Sequence, residues 1–180
     1  MKGALILFFM ASIAIFPTTL LPQQKLTATN LPEFLARYDT NFGPLEAVFK
    51  DLTNENLPLT DDAGQPLARR PLPDRLLEVS NLRQTARQLA LKPEDLVLAA
   101  TLVIRTESLA DDLFDLSQVA FDNESEELGN RLSTLQITME ENKEMLADYL
   151  LALAAQKQNR LQQLEKEVDE LHRKLKEGVS

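Results

Sequence analysis

The chain has 180 residues, a formal net charge of −9 and a pI near 4.7, and it contains no cysteine and no tryptophan. The absence of cysteine excludes disulfides, thiol catalysis and Cys-ligated metals, and a chain this acidic, with no visible basic patch, is not typical of a nucleic-acid binder. Few aromatic residues among many Leu and Ala favour helices packed on helices over a β-sandwich. The composition therefore predicts an all-α protein that does not bind nucleic acid.

Residues 1–25 have the pattern of a signal peptide. A single lysine precedes an uninterrupted apolar run from Ala4 to Phe16, which a proline ends. That run is too short to span a bilayer, but counted on to residue 21 it reaches about 18 residues, so an uncleaved anchor over residues 4–21 stays open. We expect an extracytoplasmic protein, periplasmic or secreted, that contacts a membrane only if the anchor is retained.

Residues 26–73 hold most of the prolines and are predicted to be largely irregular. Short helices are predicted over residues 32–38, where Asn30 is the N-cap, and over residues 44–52. Between residues 57 and 68, two short runs flank a Gly-containing turn, which is typical of either a small hairpin or an exposed extended loop.

A helical core is predicted over residues 74–153. One helix covers residues 74–91, and a second, after a Lys-Pro break, covers residues 94–121. The chain then reverses at residues 122–125, and the next helix continues to about residue 177 without a proline. The second helix and the first half of the third have similar lengths, so the fold predicted is a three-helix antiparallel core.

Two details of this core are also predicted. The nine residues LVLAATLVI, 96–104, are apolar almost all round, so we expect them to be the most buried part of the protein. The last helix has two candidate N-caps, Asn123 in a capping-box-like pattern and Ser125.

Residues 154–178 extend the last helix past the core as a coiled coil. Its seam has the 3–4 spacing of that structure, in a different register from the upstream seam that runs from Leu132 to Leu153. The predicted partner-binding residues are Leu161, Leu164, Val168, Leu171 and Leu175. An exposed helix gains little from propensity alone, so this seam needs a partner, either another protein or a second copy in a weak homo-oligomer.

Candidate chemistry is sparse. His172 is the only histidine and lies among charged residues, and a zinc site would need three or four ligands, so we expect it to be a solvated surface residue. Acidic stripes occur at residues 107–115 and 140–144, where solvated faces are the expectation. No phosphate-binding glycine motif is present. No catalytic, cofactor-binding or metal-binding residues are predicted, and no cofactor.

Three functional hypotheses follow, in order of preference. The first is an exported, non-enzymatic scaffold or adaptor that oligomerises or docks a partner through the C-terminal coiled coil. The second is a ligand-binding helical bundle with an apolar site near Leu96–Ile104 and Tyr149–Ala155. The third is an enzyme that uses the carboxylates of Asp111, Asp112 or Asp115.

Overall fold

The computed structural model describes residues 25–54 and 72–178, and these residues form five α-helices. They are α1 (Leu31–Thr40), α2 (Phe42–Asn54), α3 (Leu72–Leu91), α4 (Leu96–Asp122) and α5 (Glu126–Gly178). The predicted all-α class and the long C-terminal helix are confirmed, as are both short helices. The signal peptide or anchor and the hairpin between residues 57 and 68 lie outside the described residues.

The core contains one member more than the three helices predicted. Only Asn41 separates α1 from α2, so the two together form one bent helical segment. This bent segment packs on α3, α3 packs on α4, and α4 packs on α5. Helix α2 closes the ring by contacting α5. An ion pair of 3.0 Å between Asp51 at the end of α2 and Arg131 near the start of α5 supports that closure. The result is a four-membered antiparallel bundle.

The additional member supplies most of the aromatic core. Phe34, Tyr38, Phe42 and Phe49 are all buried, and the ring centroids of Tyr38 and Phe42 lie 5.0 Å apart in an edge-to-face arrangement. The guanidinium of Arg83 on α3 lies 5.3 Å from the centre of the Phe42 ring. Truncating a buried Phe to Ala typically costs about 3–5 kcal/mol, so the bent segment formed by α1 and α2 is a principal source of stability.

Helix α4 begins two residues later than predicted and is less buried at its start than we expected. The carboxylate of Asp95 is the N-cap and accepts hydrogen bonds from the backbone N–H groups of Val97 and Leu98 at 3.0 and 3.1 Å. The side chains of Val97 and Ile104 are 74% and 64% exposed, so the prediction that residues 96–104 are the most buried part is wrong. The reason is that α4 packs mainly against α3 and α5, which leaves its outer side to solvent.

A Schellman motif forms the reversal between α4 and α5. The N–H of Ser125 donates to the carbonyl of Ala120 at 2.8 Å, and the N–H of Glu124 donates to that of Phe121 at 3.0 Å. Glu124 has φ of 59°, the left-handed conformation that glycine usually provides at this position. The side chain of Asn123 bonds back to α4, so Ser125, which immediately precedes α5, occupies the N-cap position.

Gly129 allows α4 and α5 to approach closely beside this reversal. A Cβ atom added at Gly129 would lie only 2.6 Å from an edge carbon of the Phe121 ring. The glycine that weakens α5 by about 1 kcal/mol relative to alanine therefore makes room for an aromatic ring.

The upstream seam of α5 faces the core as its spacing predicted. Its buried members are Leu132, Met139, Leu146, Tyr149 and Leu153. Asn142, the one polar member, is partly buried, and its amide donates to the Thr138 carbonyl of the same helix at 2.7 Å. Its hydrogen bond is therefore satisfied within α5.

Candidate functional site

Helix α5 leaves the bundle after Leu153. That residue is its last buried side chain, and every side chain from residue 158 to residue 177 is exposed. We call residues 154–178 the rod and the bundle before it, residues 25–54 and 72–153, the head. At about 1.5 Å per residue the rod is roughly 37 Å long.

The five predicted partner-binding residues all lie along the rod. Their exposed fractions are 61% for Leu161, 40% for Leu164, 49% for Val168, 59% for Leu171 and 65% for Leu175. Helical spacing places them on one stripe, and no described part of the chain covers that stripe. Full burial of one such side chain would contribute about 1.5–3 kcal/mol.

Two contacts with the loop before α4 anchor the base of the rod. The Tyr149 hydroxyl donates a hydrogen bond to the Pro93 carbonyl. Two turns further on, the ammonium of Lys157 lies 3.3 Å from the carboxylate of Glu94. The head therefore ends level with the first turns of the rod.

These contacts also show which way the seam faces. Lys143 and Lys157 are four turns apart on the same stripe of α5, and both reach acids of the α4 region, Glu107 at 4.0 Å and Glu94 at 3.3 Å. Lys157 is also one seam step, four residues, before Leu161. The seam of the rod therefore faces the line along which α4 would continue if it were longer.

The two acidic stripes lie side by side on α4 and α5. Glu107, Asp111 and Asp115 are exposed. Between the stripes, Lys143 contacts Glu140 and Glu107. The hydrogen bond that Lys143 donates to Glu140 raises the pKa of the lysine above its usual value. Desolvation opposes this effect, and the charges of Glu140, Glu107 and Glu144 add to it. This arrangement is a solvated charged surface in which a lysine offsets part of the acidic charge.

His172 is exposed on the rod next to a seam position. Within residues 25–54 and 72–178 there is no group of three or more His, Cys, Asp or Glu side chains that could hold a metal ion. The neighbouring Arg173 forms an ion pair of 3.8 Å with Glu177, four residues later. The same spacing would also permit a pair with Asp169, four residues earlier.

The region of the second hypothesis is packed. Ala99 and Leu102 on α4, and Tyr149 and Leu153 on α5, belong to the buried core. A cleft of about 470 Å³ lies between Leu26 and the opposite flank of α5. A second groove, of about 420 Å³, runs between α1 and α3, and its lining is mostly apolar. Spacing along one helix gave no signal for either cleft, because each forms between elements distant in sequence.

A buried polar pair in the head was also missed. The Thr106 hydroxyl donates to the Leu102 carbonyl at 2.7 Å, so the Tyr38 hydroxyl, 2.7 Å away, is the donor to Thr106. Burial raises the pKa of Tyr38 well above its usual range. The pair ties α1 to α4 inside the core, and the only sequence signal for it was a threonine at an apolar position of α4.

No helix among the described residues is both long and apolar enough to cross a membrane. Comparisons with protein-family models, with curated proteins and with solved structures found no match to this chain.

Proposed function

We propose that the protein is a non-enzymatic scaffold or adaptor whose helical head is carried on a rod that docks a partner through a coiled coil. One observation carries this proposal. Leu161, Leu164, Val168, Leu171 and Leu175 form an apolar stripe on a helix whose side chains are exposed over its whole projecting length.

The energetics of the rod support a docking role. Most helical stability in proteins comes from packing of an apolar face, and an isolated helix of this length is marginal in water. Pairs such as Arg173 with Glu177 add only about 0.3–0.5 kcal/mol each. Burial of the seam is the larger available term, and after the cost of association it is consistent with weak to moderate binding.

We also propose that the protein is exported. This part rests on the lysine and the apolar run from Ala4 to Phe16 alone. Mass spectrometry of protein from the native host should find a mature N-terminus well after Met1, in a fraction outside the cytoplasm. Intact Met1 in the membrane fraction would select the anchor, and intact Met1 in the soluble cytoplasm contradicts export.

Two charges placed in the seam test the docking role. In the variant Leu164→Asp with Leu171→Asp, both seam positions become carboxylates, which cannot be buried in an apolar interface without a large penalty. The matched control is Asn159→Asp with Gln163→Asp, which adds the same charge to the outer face of the rod. Light scattering gives the mass of purified protein, and chemical crosslinking in the native host gives the size of its complexes.

The seam variant should lose its complexes both in solution and in the host, while the control keeps them and both retain the thermal transition of the head. If wild type and seam variant are monomeric with equal stability in solution and give the same crosslinks in the host, the rod has no docking role.

A further inference from the structure

We infer that the occupant of the seam is a second copy of this chain, bound antiparallel in one particular register. The inference deepens the proposed function and rests on it, because it names the partner of the docking rod. Three features carry it: the direction in which the seam faces, the order of its apolar residues and the charges on its two flanks.

The head excludes a parallel partner. The stripe of α5 that carries Lys143 and Lys157 contacts acids of the α4 region at 4.0 and 3.3 Å, and the seam starts on that stripe. A parallel copy lying in the seam would have to continue its own α5 alongside this chain's head, through the space that α4 fills. An antiparallel copy keeps its head at the far end of the rod, so both heads remain clear.

The apolar residues of the rod match in antiparallel order. In heptad positions, Leu161, Val168 and Leu175 are a residues, and Leu164 and Leu171 are d residues. Antiparallel coiled coils pair an a residue with a d residue in each layer. One register places Leu164 opposite Leu175 of the second copy and Val168 opposite Leu171 of the second copy, and each layer occurs twice by symmetry.

The flanking charges favour this register. Antiparallel helices bring g residues opposite g residues and e residues opposite e residues. Here Glu167 faces Lys174 of the second copy, and Glu165 faces His172 of the second copy, whose imidazole can donate a hydrogen bond to the carboxylate. Each pair occurs twice by symmetry. All of these side chains are exposed in the single chain, and the ion pair of Glu167 with Arg160 is loose at 4.0 Å.

The next antiparallel register toward the head is repulsive. A slide of one heptad would place Glu167 opposite Glu167 of the second copy, and Arg160 opposite Lys174 of the second copy. Glu165 would also meet its own counterpart. Like charges across such an interface oppose pairing, so the charge pattern favours the first register over this one. In the favoured register the tip of the second copy ends level with Leu161, beyond the contact between Lys157 and Glu94.

Single cysteines in this cysteine-free chain test orientation and register together. Copies with Leu164→Cys are mixed with size-tagged copies carrying Leu175→Cys at about 100 µM in a glutathione redox buffer. We expect disulfide dimers of mixed composition on a non-reducing gel and no dimers of either variant alone. The two positions face each other in the favoured register, whereas identical positions are separated by about 16 Å along the helix.

Dimers of Leu164→Cys alone would show parallel pairing and overturn the inference. Failure of the mixture to crosslink overturns the register. In either case a seam-dependent mass or host complex would leave the docking proposal standing, so the two failures are distinguishable.

Charge exchange gives a second, non-covalent test. Sedimentation equilibrium of Glu167→Lys should show a dimer dissociation constant raised about tenfold, because two attractive pairs become repulsive. Combining it with Lys174→Glu restores attraction in this register and should return the constant to within about threefold of wild type. A double variant as weak as the single one overturns the inference. A wild type that is monomeric at about 100 µM also overturns the inference. If Leu164→Asp with Leu171→Asp then lowers thermal stability, the seam packs against another part of the same chain.

Discussion

Head and rod share one continuous helix, α5, and both carry apolar residues at 3–4 spacing, yet their burial is opposite. Leu132 in the head is 0% exposed, whereas Leu171 in the rod is 59% exposed. The same local pattern thus produces a packed core where α4 and α2 lie against α5 and a bare surface where they end. Periodicity along a helix identifies the face that seeks burial, and the neighbours decide whether burial occurs within the chain.

The largest expected effect separates the two regions by the same substitution. Leu132→Ala should lower the free energy of unfolding by about 2–5 kcal/mol, because it leaves a cavity in the bundle. Leu171→Ala should change it by less than about 0.5 kcal/mol in dilute solution, where the rod is unpaired. Chemical denaturation at low micromolar concentration measures both. Comparable losses for the two variants would mean that the rod packs on its own chain.

The buried hydroxyl of Tyr38 sharpens the picture of the head as a closed core. Tyr38→Phe should cost about 1 kcal/mol at neutral pH, the net worth of a typical hydrogen bond. Burial raises the pKa of Tyr38 in the folded state, while unfolded tyrosine titrates near about 10. Stability is therefore complete below that pH and falls as pH rises above it, because the unfolded state releases its proton first.

Between pH 9 and 11.5 the free energy of unfolding should fall more steeply with rising pH for wild type than for Tyr38→Phe. Burial, with the nearby charge of Glu94, also raises the pKa of Tyr149, so both tyrosines should ionise at higher pH in the folded protein than in the unfolded chain. Early phenolate absorbance from folded protein would show that the core admits water.

The contact between Gly129 and Phe121 tests how tightly the head is closed at the reversal. Gly129→Ala gains about 1 kcal/mol of helix propensity but places its Cβ against the ring, so we expect no net gain. In a Phe121→Ala background the ring is absent, and the same change should stabilise by about 1 kcal/mol. A double-mutant cycle measures this coupling. Equal effects in both backgrounds would mean that the ring moves aside freely.

The smallest effect marks the boundary between the regions. Lys157→Ala removes a largely exposed ion pair with Glu94 and should cost no more than about 0.5 kcal/mol. Hydrogen exchange should nevertheless show faster opening of the first turns of the rod, with the head unchanged. A destabilised head would place the boundary further along α5.

Much of this architecture follows from local sequence. The limits of α3 and α5, and the reversal at residues 122–125, are close to those that prolines, caps and periodicity predicted. The register change after Leu153 coincides with the end of the bundle, because that residue is the last buried side chain of α5. The exposed side of α4 at Val97 and Ile104 was not predicted, since apolar character all round a helix does not say how many neighbours it has.

What the sequence by itself determined is the helical class, the faces of the helices that seek burial and the place where the long helix changes face. These depend on propensity and spacing over a few turns. Only the tertiary structure decided that α1 and α2 complete the bundle through Phe42, Phe49 and the bond from Tyr38 to Thr106. Only the contact between Lys157 and Glu94 showed that the seam points along α4, because that direction depends on how distant elements pack around α5.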